Sequence, residues 1–496
     1  MSMIKVEDLT FAYPGGYDNV FEDVSFQIDT DWKLGFVGRN GRGKTTFLKL
    51  LMGEYEYAGH ISASVEFDYF PYPVCRPERM TEEILEEACP GAERWRLLRE
   101  LGLLEVDEGV LWRSFNTLSN GEQTKVLLAA LFCAEGRFLL IDEPTNHLDS
   151  HGRELVARYL DRKKGFILVS HDRRFLDGCV DHILSINRSD IQVRRGNFSS
   201  WFEEFEVRQA AEEAQSQRLR QDVRRLKESA RRTADWSDRV EASKNGTRNG
   251  GLRPDKGYIG HKAAKMMKRS KAIQARQEKA IEEKEGLLKN AEAAQELKLS
   301  PLVYHSQRLA GFEKVEVAYD GRRVNAPVSF QVERGERVAL EGGNGSGKSS
   351  LLKLLLGEDI DHTGRVERAS GLVVSYVSQD TGHLAGGLTD YARGLEIDES
   401  LFKTILRKLG FERVQFEKDM ADYSGGQKKK VLIAGSLCQK AHLYVWDEPL
   451  NFVDIYSRMQ IEALLKRFSP TMVFVEHDRA FREMVATRRV LVESGE

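Results

Sequence analysis

Short apolar runs end abruptly in polar or glycine-rich residues at matching places in the two halves of this chain, and each run reads as a buried β-strand. Phe138 to Ile141 leads into DEP, and so does Leu443 to Trp446; FILV at 166 to 169 leads into SHD, and MVFV at 472 to 475 into EHD. Two further runs lead into GRNGRGKTT at 38 to 46 and GGNGSGKSS at 342 to 350, each followed by a leucine-rich helical segment. The segments LSNGEQTKVLLA at 118 to 129 and YSGGQKKKVLIA at 423 to 434 complete a set of four motifs. The set recurs in one order at offsets of 304, 305, 305 and 306 residues. Such register means one domain present twice.

Between the copies, from about Glu204 to Ser300, the pattern changes to Glu, Arg, Lys, Gln and Ala with few β-branched residues, which predicts helix. Leu219, Val223, Leu226 and Ala230 form a narrow apolar seam, resumed by Ile273, Ala280, Ile281, Leu287 and Leu288. SKNGTRNGGLRPDKGYIG breaks it with five glycines and a proline, so a helical hairpin with a turn at its tip is expected. The predicted domains are 1–204, a linker at 205–301 and 302–496, an α/β architecture of two tandem phosphate-loop domains joined by a long helical hairpin.

With 496 residues, 41% of them hydrophobic, the chain exceeds what one core supports, and no run nears the roughly 18 apolar residues of a membrane span. The start MSMIKVEDLTFAYPGG lacks a secretory pattern, and the five cysteines are scattered, so a cytoplasmic protein with free thiols is expected. The net charge of −3 hides one strong local field. Between Lys244 and Arg276 stand ten basic residues, namely Lys244, Arg248, Arg253, Lys256, Lys262, Lys265, Lys268, Arg269, Lys271 and Arg276, against the single acid Asp255. A single-signed hairpin tip suits RNA phosphates, with Tyr258, Met266 and Met267 available for bases or apolar ligands.

The motifs carry phosphate chemistry. In G-x-x-x-x-G-K-[ST] the glycines let backbone N–H groups turn inward around phosphates, which assigns Gly38, Asn40, Gly41, Gly43, Lys44, Thr45 and Thr46 to one nucleotide. Gly342, Asn344, Gly345, Gly347, Lys348, Ser349 and Ser350 are assigned to a second. Thr45 and Ser349 are expected at Mg²⁺ together with Asp142 and Asp447, the first acids after the DEP strands. Glu143 and Glu448, one residue on, are placed to orient or deprotonate water. His171 and His477 are expected to hold that glutamate or the γ-phosphate. Ser119 with Gly121, and Ser424 with Gly425 and Gly426, read as helix N-caps that can also bind an anion.

The order of these motifs resembles the ATP-binding-cassette superfamily. The resemblance implies that each serine segment caps the ATP held by the other copy, Ser424 on the Lys44 site and Ser119 on the Lys348 site. It further implies adenine stacking by Tyr13 and Tyr319, and a Mg²⁺ contact from Gln379, which links core and helical subdomain. The first copy departs from the pattern, with Tyr72 at the position of that glutamine and Asn120 for the usual glycine. Two competent but unequal ATP sites are therefore expected.

Two such domains on one chain with a helical linker resemble the ABC-F group, and the tip DKGYIGHKAAKMMKRSK with YSGGQKKKVLIA and DEPLNFVD resembles its Lsa-type antibiotic-resistance branch. The 47 residues from Tyr72 to Ser119, against 45 from Gln379 to Ser424, leave no room for the arm that housekeeping members insert. The resemblance implies a monomer with an intramolecular pair of cassettes that uses ATP and Mg²⁺ and engages no membrane or DNA. Its partner would be the 70S ribosome, with 23S rRNA and the P-site tRNA contacted from the tRNA exit site. Gly257, Tyr258 and Ile259 would reach deepest, and lincosamides, pleuromutilins and streptogramin A would be released. A housekeeping translation factor, or an RNA-binding adaptor for which ATP is only structural, are the rival expectations.

Overall fold

The computed structural model describes residues 2–14, 19–134, 136–146, 148–187, 190–242, 301–319 and 321–495. It falls into two units, Met1–Trp201 with Leu297–Glu496, and Phe202–Glu296.

In the first unit the fully buried strands Phe166–Val169 and Leu443–Asp447 each sit inside a parallel sheet, where both faces are covered and an unbroken apolar run is required. The N-terminal copy orders its strands as Glu66–Phe70, Arg137–Asp142, Phe166–Val169, Lys33–Val37, His182–Asn187 and Asp190–Arg195, with only the last pair antiparallel. The C-terminal copy repeats the order with Val374–Val377, Leu443–Asp447, Met472–Val475, Arg337–Glu341 and Arg488–Leu491, all parallel. A separate antiparallel sheet accompanies each copy, built on Met3–Phe11 and on Arg308–Tyr319.

This strand order does the functional placing. Arg137–Asp142, Phe166–Val169 and Lys33–Val37 are neighbours, so the DEP, SHD and phosphate-loop segments that follow them leave from one carboxyl edge, where ligands of open α/β sheets bind. Helix Lys44–Leu51 is held there by Phe47, Leu48 and Leu50, buried against Phe36, Phe138 and Leu140; Leu351, Leu352 and Leu355 do the same for helix Lys348–Leu356. A second core in the C-terminal copy packs Phe402, Ile405 and Leu406 of helix Glu399–Lys408 with Val431 of helix Gly425–Cys438 and Trp446.

Helix Phe198–Ala242 is 45 residues long, about 65 Å at 1.5 Å per residue. It starts six residues before the predicted Glu204, because Asn197 Oδ1 accepts the Ser200 N–H at 3.0 Å and caps it. The predicted hairpin turn and return helix, with all ten basic residues and Gly257, Tyr258 and Ile259, lie outside the described residues. No helix among the described residues is long and apolar enough to cross a membrane.

Candidate functional site

Both phosphate loops have the conformation their glycines permit. Gly41 and Gly43 have φ of 81° and 91°, and Gly345 and Gly347 have 78° and 83°, left-handed values that side chains with a Cβ avoid. Lys44 Nζ donates to the carbonyls of Gly38 at 2.8 Å and Arg39 at 3.3 Å; Lys348 Nζ donates to those of Gly342 at 3.0 Å and Gly343 at 2.7 Å. Burial pulls both ammonium groups below the usual lysine value. Each lysine is thus held inside its loop, poised over the ring of amides that phosphate oxygens would meet. Asn40 and Asn344 belong to those loops. Tyr13 and Tyr319 are half exposed beside them, their hydroxyls 2.6 Å from Thr46 Oγ1 and 3.0 Å from Ser350 Oγ.

The carboxylates follow. Thr45 Oγ1 donates to Asp142 Oδ2 at 2.9 Å, and the Ser349 hydroxyl stands near enough to Asp447 to favour its charged form against burial. Asp447 Oδ1 is buried without a hydrogen-bond partner, so the second copy aims a bare carboxylate oxygen where a hard cation is satisfied by oxygen ligands, and in the first copy Asp142 with the Thr45 hydroxyl offers the same oxygen donors. The residues present therefore fit Mg²⁺. Glu143 and Glu448 share a positive φ, 51° and 45°, which turns each side chain back toward a histidine: His171 Nε2 is 3.4 Å from Glu143, and His477 Nε2 is 3.3 Å from Glu448. Burial drives His171 well below its ordinary value, so it is a neutral imidazole, and its Nε2 also lies 3.0 Å from Asn40 Oδ1.

The two copies diverge at the glutamates. Strand pairing sets Phe70 opposite Ile141 and Val377 opposite Trp446, so Tyr72 and Gln379 occupy equivalent positions two residues on. Gln379 Nε2 donates to Glu448 Oε2 at 2.9 Å, toward the glutamate and not toward Asp447, and Asn451 Nδ2 adds a second bond at 2.7 Å. Burial alone would raise Glu448, but His477, the Asn451 amide and the charge of Lys429 outweigh it and hold the group below the usual carboxylate range. Among the described residues no side-chain amide donates to Glu143, and burial beside Asp142 pushes it up to about 8. Tyr69, which sequence reasoning passed over within FDYF, donates its hydroxyl to Asp142 Oδ2 at 2.9 Å.

The serine segments are N-caps as read. Ser119 Oγ accepts the Glu122 N–H at 3.2 Å and Ser424 Oγ the Gln427 N–H at 3.4 Å, each in a full capping box. They also face the opposite copy. Ser119, Asn120 and Gly121 line the same cavity, about 770 Å³, as Asn344, Lys348, Ser349, Gln379 and Glu448. At the other pairing the copies touch directly: Asn40 Nδ2 donates to Phe452 O at 2.6 Å, Arg42 pairs with Glu412 at 3.0 Å, and a Cβ on Gly426 would come within 2.7 Å of Asn40 Nδ2.

A stability test follows from Glu143. Its folded value lies above its unfolded one, so the folded state keeps a proton that the unfolded state releases, and wild-type stability falls as pH rises from about 4.5 to 8, by about 1.4 kcal/mol per unit at most. Glu143→Gln removes that term. The melting-temperature gain of Glu143→Gln over wild type, without nucleotide, should grow between pH 5 and 8 and then level off. Glu448→Gln should show no such gain. Equal pH profiles for the two variants would contradict the asymmetry.

The family model described as ABC transporter matches residues 21–146 and again 326–451. The ribosome protection protein VmlR of Bacillus subtilis is 27% identical over 495 residues, covering 96% of this chain and 84% of that protein. The energy-dependent translational throttle protein EttA of Haemophilus influenzae is 24% identical, covering 95% and 88%. Among solved structures, an RNase-L inhibitor superposes with a TM-score of 0.63 at 20% identity, covering 98% of this chain and 90% of that one, a likeness of fold.

Proposed function

The chain belongs to the ABC transporter family, as an ATPase of its ABC-F group, and from that premise we propose that it is a ribosome-binding clamp protecting the bacterial ribosome from antibiotics that act at the peptidyl-transferase centre. The cavity shared by Ser119 of one copy and Lys348 of the other supports the clamp most directly. ATP held there is bound by both copies, so it favours only their closed arrangement. A ribosome that favours the same arrangement is then coupled to ATP by linkage.

In each site the loop lysine, Lys44 or Lys348, takes the β- and γ-phosphates, and Asp142 with Thr45, or Asp447 with Ser349, would hold Mg²⁺. The bound ion supplies positive charge against the charge developing on the phosphates. Glu448 accepts a proton from the attacking water, Glu143 would do the same once the positive charge of Mg²⁺ at Asp142 drew it into its charged form, and His171 and His477 keep them oriented. Loss of the γ-phosphate removes the ligand that joins the copies, and the protein leaves the ribosome.

The ribosome as partner is supported by the ten-to-one basic excess between Lys244 and Arg276, which suits 23S rRNA and the P-site tRNA, and by the name of the relative VmlR. The same relative and the short Tyr72-to-Ser119 stretch favour resistance to lincosamides, pleuromutilins and streptogramin A. The likeness to EttA favours a second reading, a translation factor without resistance activity.

The deciding experiment is the minimal inhibitory concentration of lincomycin, tiamulin and virginiamycin M for a susceptible Gram-positive host. It compares the empty host, the intact gene and a version lacking residues 244–271. A rise with the intact gene that vanishes on deletion is expected; no rise for any drug sinks the resistance reading in favour of the translation factor.

A further inference from the structure

Lys429 lies in helix Gly425–Cys438 and is only 2% exposed, a costly place for an ammonium unless carboxylates and acceptors surround it. Its Nζ donates to Ser378 O at 2.9 Å, and Glu476, Asp447, Glu448 and Asp380 bear on its charge. Ser378 immediately precedes Gln379, whose amide holds Glu448. The equivalent residue in the first copy is Thr124, whose hydroxyl bonds back to Asn120 O at 2.9 Å within its own helix. That copy also has Tyr72 instead of the glutamine. The buried lysine and the glutamine therefore occur together in one copy and are missing together from the other.

We propose that Lys429 is a positioning residue for the second ATP site: it fastens the Gln379 loop to the helix opening at Ser424 and thereby fixes the amide that orients Glu448. The same helix meets the first phosphate loop at its N-terminus, through Gly426 and Asn40. A shift of that helix when the first site fills is then passed by Lys429 to the base of the second. Thr124 makes no such link from its own helix, so this path joins the Ser424 helix to the second site and has no counterpart at the first.

The test measures ATP turnover in the full chain for Lys429→Met, Lys429→Arg, Gln379→Ala and the double variant Lys429→Met/Gln379→Ala, each with its melting temperature. Lys429→Met should lower kcat about tenfold with KM for ATP nearly unchanged, as expected when a group that orients a catalytic residue is lost. Lys429→Arg should recover most of it, and the double variant should be no slower than Gln379→Ala alone. A Lys429→Met protein with a lowered melting temperature and wild-type kcat, or additive losses in the double variant, would overturn the proposal. Gln379 is exposed, so Gln379→Ala tests the idea even where Lys429→Met does not fold: wild-type kcat in that variant also overturns it.

Discussion

Replacing Glu143 and Glu448 together by glutamine is expected to cut ATP turnover by about 10²- to 10⁴-fold while leaving ATP binding intact, and to hold the protein on ribosomes whenever ATP is present. Both glutamates stand one residue past the end of a buried strand, in a left-handed backbone conformation that costs on the order of 1 kcal/mol and that only the surrounding structure can enforce. That geometry aims the carboxyl at the histidine and at the carboxyl edge of the sheet. Glutamine keeps the size and the hydrogen-bonding shape but cannot accept a proton from water, so the closed pair forms and does not reopen. Co-sedimentation reads the outcome: the double variant should pellet with ribosomes in ATP and stay in the supernatant without it. A double variant with turnover within tenfold of wild type would remove the glutamates from the proton transfer, and one that hydrolyses nothing yet stays in the supernatant would refute the clamp.

Most of this site was legible because its residues are local. A phosphate loop, a DEP triplet and an HD pair each follow a short apolar strand, and a parallel sheet with neighbouring strands 137–142, 166–169 and 33–37 brings all three to one edge. Even the inequality of the copies was visible, since Tyr72 stands where Gln379 stands in the repeat. What stayed hidden depends on partners distant in sequence. Tyr69 looks like one aromatic among three in FDYF, and only the pairing of its strand with Arg137–Asp142 brings its hydroxyl to Asp142. Lys429 reads as the middle of an exposed lysine run until the fold places Ser378 O against its ammonium. Asn451 gives no signal by composition, and its role comes from the turn that lays its amide on Glu448.

The repeat also contains a buried ion pair that no motif announced, and breaking it should have the largest effect on stability. Arg458 is 5% exposed; Nε donates to Val453 O at 2.8 Å, Nη2 to Leu450 O at 2.9 Å and Nη1 to Asp478 Oδ2 at 2.8 Å. Arg153 repeats the arrangement with Leu148 O at 3.1 Å and Asp172 Oδ2 at 3.0 Å. Burial opposes the charge on Asp478, and Arg458 overcomes it, holding the carboxyl below its usual range. Arg458→Leu leaves that carboxylate buried without the cation that hydrogen-bonds it, with only the Phe481 N–H and the more distant charges of Arg173 and Arg153, and breaking such a pair typically costs about 3–5 kcal/mol, or on the order of 10 °C in the melting temperature of the C-terminal copy. The sign with pH is fixed by the same group. In the wild type, Asp478 contributes stability that is present above its unfolded value and lost as pH falls through its folded one. In Arg458→Leu the folded value is raised instead, so the penalty is full at pH 7.5 and shrinks as acid protonates the carboxyl. Arg458→Leu/Asp478→Asn should recover part of the loss at neutral pH. A single variant that melts within about 2 °C of wild type at pH 7.5 would mean the charge is paired elsewhere. Because Leu450 and Val453 bracket Asn451 and Phe452, which touch Glu448 and Asn40 respectively, the same variant should also slow ATP turnover at temperatures where it remains folded.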